Sequence, residues 1–277
     1  MFCSIFYYIC KSELMKSKEI NNLQILKHTK NMAQIGHGYG SEWQLLRMLG
    51  HHREYFFKEL RSQIGLPDNV EIHWLDYPWD NKSISGDGEY IKRDFFEKIP
   101  EIFTEEVMSK FEKDKFGDKL KQNWDGVFWV KDTVYIVEAK AHLKEIESNC
   151  GAGTESSSII EGYFKEAREY FQISSTNDWK MQYYQMANRI AFLKLLQSNG
   201  VKAKLVNIYF INGYEKKMKN PVSEKYYTIQ NKNTSKDQWR ECITKEEDYL
   251  GISKLVGEHI FSVFIDCKKG AEVDNRR

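Results

Sequence analysis

Apolar and polar positions alternate most informatively between residues 124 and 140, which read WDGVFWVKDTVYIVEAK. Residues 124–130 and 133–140 are rich in Val, Ile, Tyr, Trp and Phe, which predicts two strands. Lys131-Asp132 is the only polar break between them. A two-residue loop there sets Val130 opposite Thr133, and counting outward sets Asp125 opposite Glu138. Upstream, Leu45, Leu46, Leu49, Phe56, Phe57 and Leu60 recur at helical spacing, predicting a helix from Ser41 to about Leu60, disturbed near Gly50. Ser41 and Gln44 have the spacing of a capping box. Residues 70–77 read as a first strand, 81–89 as a loop and 100–113 as a short helix. Residues 149–158 (NCGAGTESSS) read as a flexible connection that could also gate a site or carry a phosphate. Helices are predicted over 159–171 and, capped by Asp178, up to Ser198. A strand follows at 203–211, a helix at 235–250 and a last strand at 259–267.

The hairpin gathers charge in an apolar setting. Side chains alternate faces along a strand, so Glu138 and Lys140 share a face and Asp125 joins them. Opposed Cβ atoms lie roughly 4.5–5.5 Å apart, and two carboxylates that close repel unless a proton or cation intervenes. Mg²⁺ takes oxygen ligands and favours one or two carboxylates plus water and substrate phosphates. Asp125 and Glu138 are therefore the expected metal ligands, with the Ala139 carbonyl as a third. Lys140 could hold or deprotonate an attacking water, or neutralise charge on a scissile phosphate. A purely structural ion pair is the competing reading.

Asp125, twelve intervening residues and then Glu138-Ala139-Lys140 resembles the active-site pattern of the PD-(D/E)xK nuclease superfamily. The resemblance covers roughly residues 41–210. It implies an α/β fold with a restriction-endonuclease-like mixed β-sheet core flanked by helices. It also implies phosphodiester hydrolysis through a Mg-activated water, with Mn²⁺ able to substitute, on nucleic acid, DNA more than RNA. Asp125 and Glu138 would bind the ion and Lys140 assist the water. A helical acid preceding the sheet corresponds to Glu42, with Asp76 as second choice. A glutamine on the helix after the E-x-K strand corresponds to Gln182 or Gln185. The proline of the superfamily name is replaced here by Trp124. A non-catalytic nucleic-acid-binding or interaction module on the same fold is the alternative.

The remaining signals refine this picture. Gln182, Gln185 and Arg189 fall at helical spacing on one side, which makes Gln182 and Arg189 candidate substrate contacts, against a solvated face. Lys216, Lys217 and Lys219 form the one local lysine cluster near the core, and Lys216 and Lys217 are further substrate candidates. The 277 residues, 41% hydrophobic, suffice for one domain over 36–267 with an elaboration at 212–257. Residues 1–35 read as an extension, with Met32 as an alternative start, and 268–277 as a disordered tail. A net charge of +1 gives a nucleic-acid partner no bulk support. Five scattered cysteines without a C-x-x-C pair argue against zinc and suit a reducing cytoplasm. The apolar run at 2–10 is too short for a membrane span. Gly36–Gly40 matches no nucleotide fingerprint, and His51-His52 are poor joint ligands. A homodimer or a partner protein is left open.

Overall fold

The computed structural model describes residues 40–77, 90–91, 93–111, 122–213, 216–219, 226–229 and 234–269. The expected extension at 1–35, the glycine run before Gly40, the loop at 81–89 and the tail beyond 269 lie outside the described residues. The chain divides into two units, 1–35 with 77–89 and 36–76 with 90–277. The second carries all the named elements.

Helices α1 (Ser41–His51) and α2 (Arg53–Ile64) lead into β1 (His73–Leu75), β2 (Tyr90–Ile91) and α3 (Glu105–Phe111). Then come β3 (Asn123–Trp124), β4 (Gly126–Val130), β5 (Thr133–Lys140), α4 (Thr154–Tyr170), α5 (Tyr184–Ser198) and β6 (Lys202–Ile211). A ribbon of β7 (Lys216–Lys219) and β8 (Tyr226–Ile229) precedes α6 (Lys236–Leu250) and β9 (Ile260–Asp266). The main sheet runs β1-β4-β5-β6-β9. β1, β4 and β5 form an antiparallel meander, while β6 and β9 continue parallel to β5. The chain is thus mixed α/β, a five-stranded mixed sheet flanked by helices.

The hairpin has the expected register, Val130 opposite Thr133 and Gly126 opposite Val137, closed by Lys131 at φ 55°. β5 is covered on both faces. Val134 and Ile136 pack with α4, α5 and α6, whereas Tyr135, Val137 and Ala139 pack with α1 and α2. Such a strand reads as a continuous apolar run, so Glu138 and Lys140 stand out within it.

Several local expectations are corrected. The first helix breaks at His52 (φ −122°), not Gly50, giving two helices. Ser41 lies inside α1, Gly40 is its N-cap, and Gln44 accepts from the Cys267 thiol at 3.3 Å instead of closing a capping box. The capping box stands at α6: Gln238 N–H donates to Ser235 Oγ at 3.2 Å, and Ser235 N–H to Gln238 Oε1 at 2.9 Å. Thr154–Tyr170 takes in half of the serine-rich stretch, because nothing after Gly153 breaks the helical run. The long helix starts at Tyr184, since Asp178 closes a turn by accepting from Lys180 N–H at 2.9 Å. The lysine cluster lies on the β7–β8 ribbon.

Two contacts fix the sheet margins. Trp239 on α6 donates its indole N–H to the Phe210 carbonyl at 3.0 Å. Gln63 on α2 donates to the Phe264 carbonyl at 2.9 Å and accepts from its N–H at 2.8 Å. Gly126 faces the Trp74 indole, and a Cβ there would lie 2.4 Å from its ring. Gly126→Ala should therefore destabilise the fold by about 1–3 kcal/mol, the usual cost of overpacking, measured by urea unfolding. An unchanged midpoint would show that the indole moves freely.

Candidate active site at the end of the hairpin

The β4–β5 ladder stops at Gly126, where the chain kinks at Asp125 and β3 leaves β5 to pair with β2. Ala139 N–H loses its strand partner at this point, and the Asp125 carboxylate replaces it, Oδ2 accepting at 2.6 Å. The N–H and C=O of one residue in an extended strand point to the same side, so the Ala139 carbonyl also leaves β5 on the Asp125 side. Sequence counting had Asp125 opposite Glu138, and the kink occurs at that position.

Asp125, Glu138, Lys140 and Arg189 are all buried, with 5–9% of their surface exposed. Buried charges require partners, and these four largely supply one another. Lys140 Nζ donates to Glu138 Oε1 and, at 2.8 Å, to Gln185 Oε1. Gln185 Nε2 donates to the same Glu138 oxygen at 2.7 Å. One amide on α5 thus presents its acceptor to the ammonium and its donor to the carboxylate. Arg189, one turn further along, donates Nε–H to Glu138 Oε2 at 2.7 Å and Nη2–H to the Asn123 carbonyl at 2.7 Å. Its guanidinium lies 4.7 Å from the centroid of the Trp124 ring, a cation–π contact.

Burial alone would raise the Glu138 pKa, but Arg189 and Lys140 outweigh it and hold the carboxyl below its ordinary value. Burial would likewise lower Lys140, yet Glu138 and Asp125 raise it above the usual lysine value. In this arrangement Lys140 stands as a donor beside Glu138, hydrogen-bonded to it and to Gln185.

The start of α5 is itself pinned. Ser148, in the loop after β5, accepts from Gln185 N–H at Oγ (2.8 Å) and from Tyr184 N–H at its carbonyl (3.0 Å). These are helix N-terminal amides that would otherwise lack partners. Ser148 N–H in turn donates to the Gln182 carbonyl at 2.6 Å.

The other sequence candidates divide. Gln185 joins the cluster. Arg189 does as well, and it faces inward as the partner of Glu138, which corrects the solvated-face reading. Gln182 precedes α5 with φ 60°, so it is not stacked with Gln185; it lines a separate surface cleft of about 500 Å³ with Lys144, Glu147, Ser148 and Asn149. Glu42 occupies the first turn of α1, on the sheet face opposite Glu138 and Lys140, so any contribution from it has to come around the end of the sheet. Asp76 pairs with Arg53 at 2.9 Å on the surface. Lys216 and Lys217 stand on β7, of which only the backbone is described.

Two polar residues were missed from sequence. Asn207 on β6 is the cross-strand neighbour of Glu138, and a lone Asn inside the apolar run AKLVNIYFI was the available signal. Glu246 occupies the buried stripe of α6 with Trp239, Ile243 and Leu250, where a carboxylate at an apolar position was the clue. Burial pushes the Glu246 pKa up to about 8, against partial opposition from Lys140.

The donor set fits a hard cation in kind. Asp125, Glu138 and the Ala139 carbonyl offer oxygens. A carboxylate has about four acceptor positions, and three of those on Glu138 are taken by Lys140, Gln185 and Arg189. Among the described residues no three His, Cys, Asp or Glu gather around one point. An ion held here would complete its shell with water and substrate oxygens, as Mg²⁺ favours. Among the described residues no helix is long and apolar enough to cross a membrane. Cys150, Cys242 and Cys267 are free thiols. No protein-family model, curated protein or solved structure matches the chain.

Removing one partner of a buried ion pair costs about 3–5 kcal/mol, so Arg189→Ala should lower unfolding stability by that amount in urea titrations. A loss of well under about 1 kcal/mol, typical of exposed pairs, would contradict the buried linkage. Glu246 adds a pH dependence. Its folded pKa of about 8 stands above the ordinary 4.5, so its contribution to stability is full below the ordinary value and is lost as pH rises through the folded pKa. Glu246→Gln should thus gain on wild type in urea midpoint between pH 5 and pH 8. A gap that stays constant over that range would refute the assignment.

Proposed function

We propose that the chain is a metal-dependent phosphodiester hydrolase acting on nucleic acid, DNA in preference to RNA, on a restriction-endonuclease-like fold. The observation that carries this reading is the bridging Gln185. It comes from the helix after the E-x-K strand and binds both Glu138 and Lys140, completing in space the set that the sequence presents in order. The topology is compatible: an antiparallel meander, then helices, then a strand parallel to β5.

In this reading Asp125 and Glu138, with the Ala139 carbonyl, hold Mg²⁺ or Mn²⁺. The bound ion supplies an activated water and neutralises phosphate charge. Lys140 positions the attacking water and offsets the charge that develops on the phosphoryl oxygens. Gln185 sets the angle between Glu138 and Lys140, and Arg189 fixes the far oxygen of Glu138 so that the carboxylate keeps one orientation. Glu42 would add a second acidic contact to the site, and the lysines of β7 would contact the substrate.

One observation favours the alternative, a non-catalytic nucleic-acid-binding module: Glu138 is already engaged by three donors, two of them cationic. Cleavage of mixed DNA and RNA substrates with Mg²⁺ or Mn²⁺ decides between them. Metal-dependent cutting is expected, with Lys140→Ala and Asp125→Ala each reducing it by about 10²–10³-fold or more while the circular dichroism spectrum stays native. A folded wild type that binds nucleic acid without cutting it, and whose binding ignores the metal, would favour the module.

A further inference from the structure

Glu246 is a buried carboxyl with 4% of its surface exposed, and it makes no hydrogen bond or ion pair among the described residues. Its neighbours on the buried stripe of α6 are Trp239, Ile243 and Leu250. An apolar side chain of similar volume would suit this position at least as well for stability, since buried polar groups rarely improve on good packing. Stability therefore does not account for a glutamate here.

The side chain forms one wall of a small cavity of about 10 Å³. Glu138, Lys140, Gln185, Asn207 and Tyr209 supply the other polar walls. The space, which Ile146 and Met186 also line, accepts about one water molecule; a buried water needs two to four polar partners, and Glu246, Lys140 and Asn207 are among the residues around it. A phosphate or a sugar does not fit. The Lys140 ammonium has three donors; Glu138 and Gln185 take two, and the third is available to a water in the cavity that Lys140 lines.

We propose that Glu246 is a positioning residue for Lys140, acting through a single water molecule held between α6 and the polar face of β5 and β6. Glu246 anchors the water from the helix side, and the water takes the third ammonium donor. The Lys140 head group is thereby held at a fixed point beside Glu138. What Lys140 is positioned for rests on the nuclease reading; the linkage itself does not.

The test is nuclear magnetic resonance of the full chain labelled with ¹⁵N at lysine Nζ, with Lys140 identified by the signal lost in Lys140→Arg. Wild type and Glu246→Gln should both show a slowly exchanging Lys140 ammonium, because the amide can still hold the water. Glu246→Leu, which cannot, should fold but lose that signal to rapid exchange. In parallel cleavage assays its kcat should fall about tenfold to a hundredfold with KM unchanged, while the Gln variant keeps its rate. A Lys140 signal that persists in a folded Glu246→Leu overturns the proposal. Loss of the signal in Glu246→Leu, in a protein whose wild type cuts neither DNA nor RNA, upholds the linkage and removes the nuclease reading. Should Glu246→Leu not fold, Glu246→Met, unbranched and of similar volume, is read in the same way. Failure of both to fold would assign Glu246 to structure alone.

Discussion

A carboxylate removed from water must be compensated, and Glu138 sets the terms on which the surrounding chain is assembled. Isolated burial of such a charge costs several kcal/mol even after relaxation, so its partners have to be held to a narrow geometry. Lys140 comes from the same strand, two residues on. Gln185 and Arg189 come from α5, which fixes the rotation and height of that helix against the sheet. Arg189 then reaches the Asn123 carbonyl and the face of Trp124, tying in the start of the hairpin. Ser148 closes the circuit by satisfying the first amides of α5 from the loop that leaves β5. Four stretches between residues 123 and 189 are thus fixed relative to one another around a single side chain.

The two faces of β5 divide the labour. On the side of α1 and α2, Tyr135, Val137 and Ala139 pack into a continuous apolar layer with β6 and β9. On the other side the apolar layer is interrupted by a polar row that crosses the sheet from Glu138 through Asn207 to Ser262. The row lies where β3 parts from β5, so the kink at Asp125 and the polar substitutions belong to one local solution. A sheet that ran on regularly would have sealed this end with backbone hydrogen bonds, and the Ala139 N–H would have had no need of the Asp125 carboxylate.

Much of this was legible in the sequence, for identifiable reasons. The hairpin register followed from a two-residue break between strongly β-forming runs, and with it the meeting of Asp125, Glu138 and Lys140. The strand at Lys202–Ile211 and the helix at Lys236–Leu250 were likewise set by local pattern. What escaped depends on tertiary partners. Arg189 reads as a surface residue on a helical wheel because its anion lies on a strand 51 residues away in the chain. Gln182 was misplaced because Asn149 and Ser148, far upstream, hold its segment outside the helix. Ser41-x-x-Gln44 has the spacing of a capping box, yet the buried Cys267 thiol claims the glutamine. Asn207 and Glu246 were visible as polar residues at apolar positions, but only packing shows that they line one space.

The glutamine on α2 that grips Phe264 bears on how copies of this chain can associate. β9 is an outer strand of the main sheet, and such a strand normally offers a row of open backbone groups to any passing extended segment. At Phe264 both groups are already matched by a side chain that imitates a neighbouring strand. At Asp266 the N–H donates to the Tyr55 hydroxyl at 3.2 Å. Two alternate residues, those whose amides would have seeded a sixth strand, are occupied from within. Growth of the sheet across this stretch of the margin, whether into a dimer or into a fibril, meets backbone groups already engaged by α2 of the same molecule.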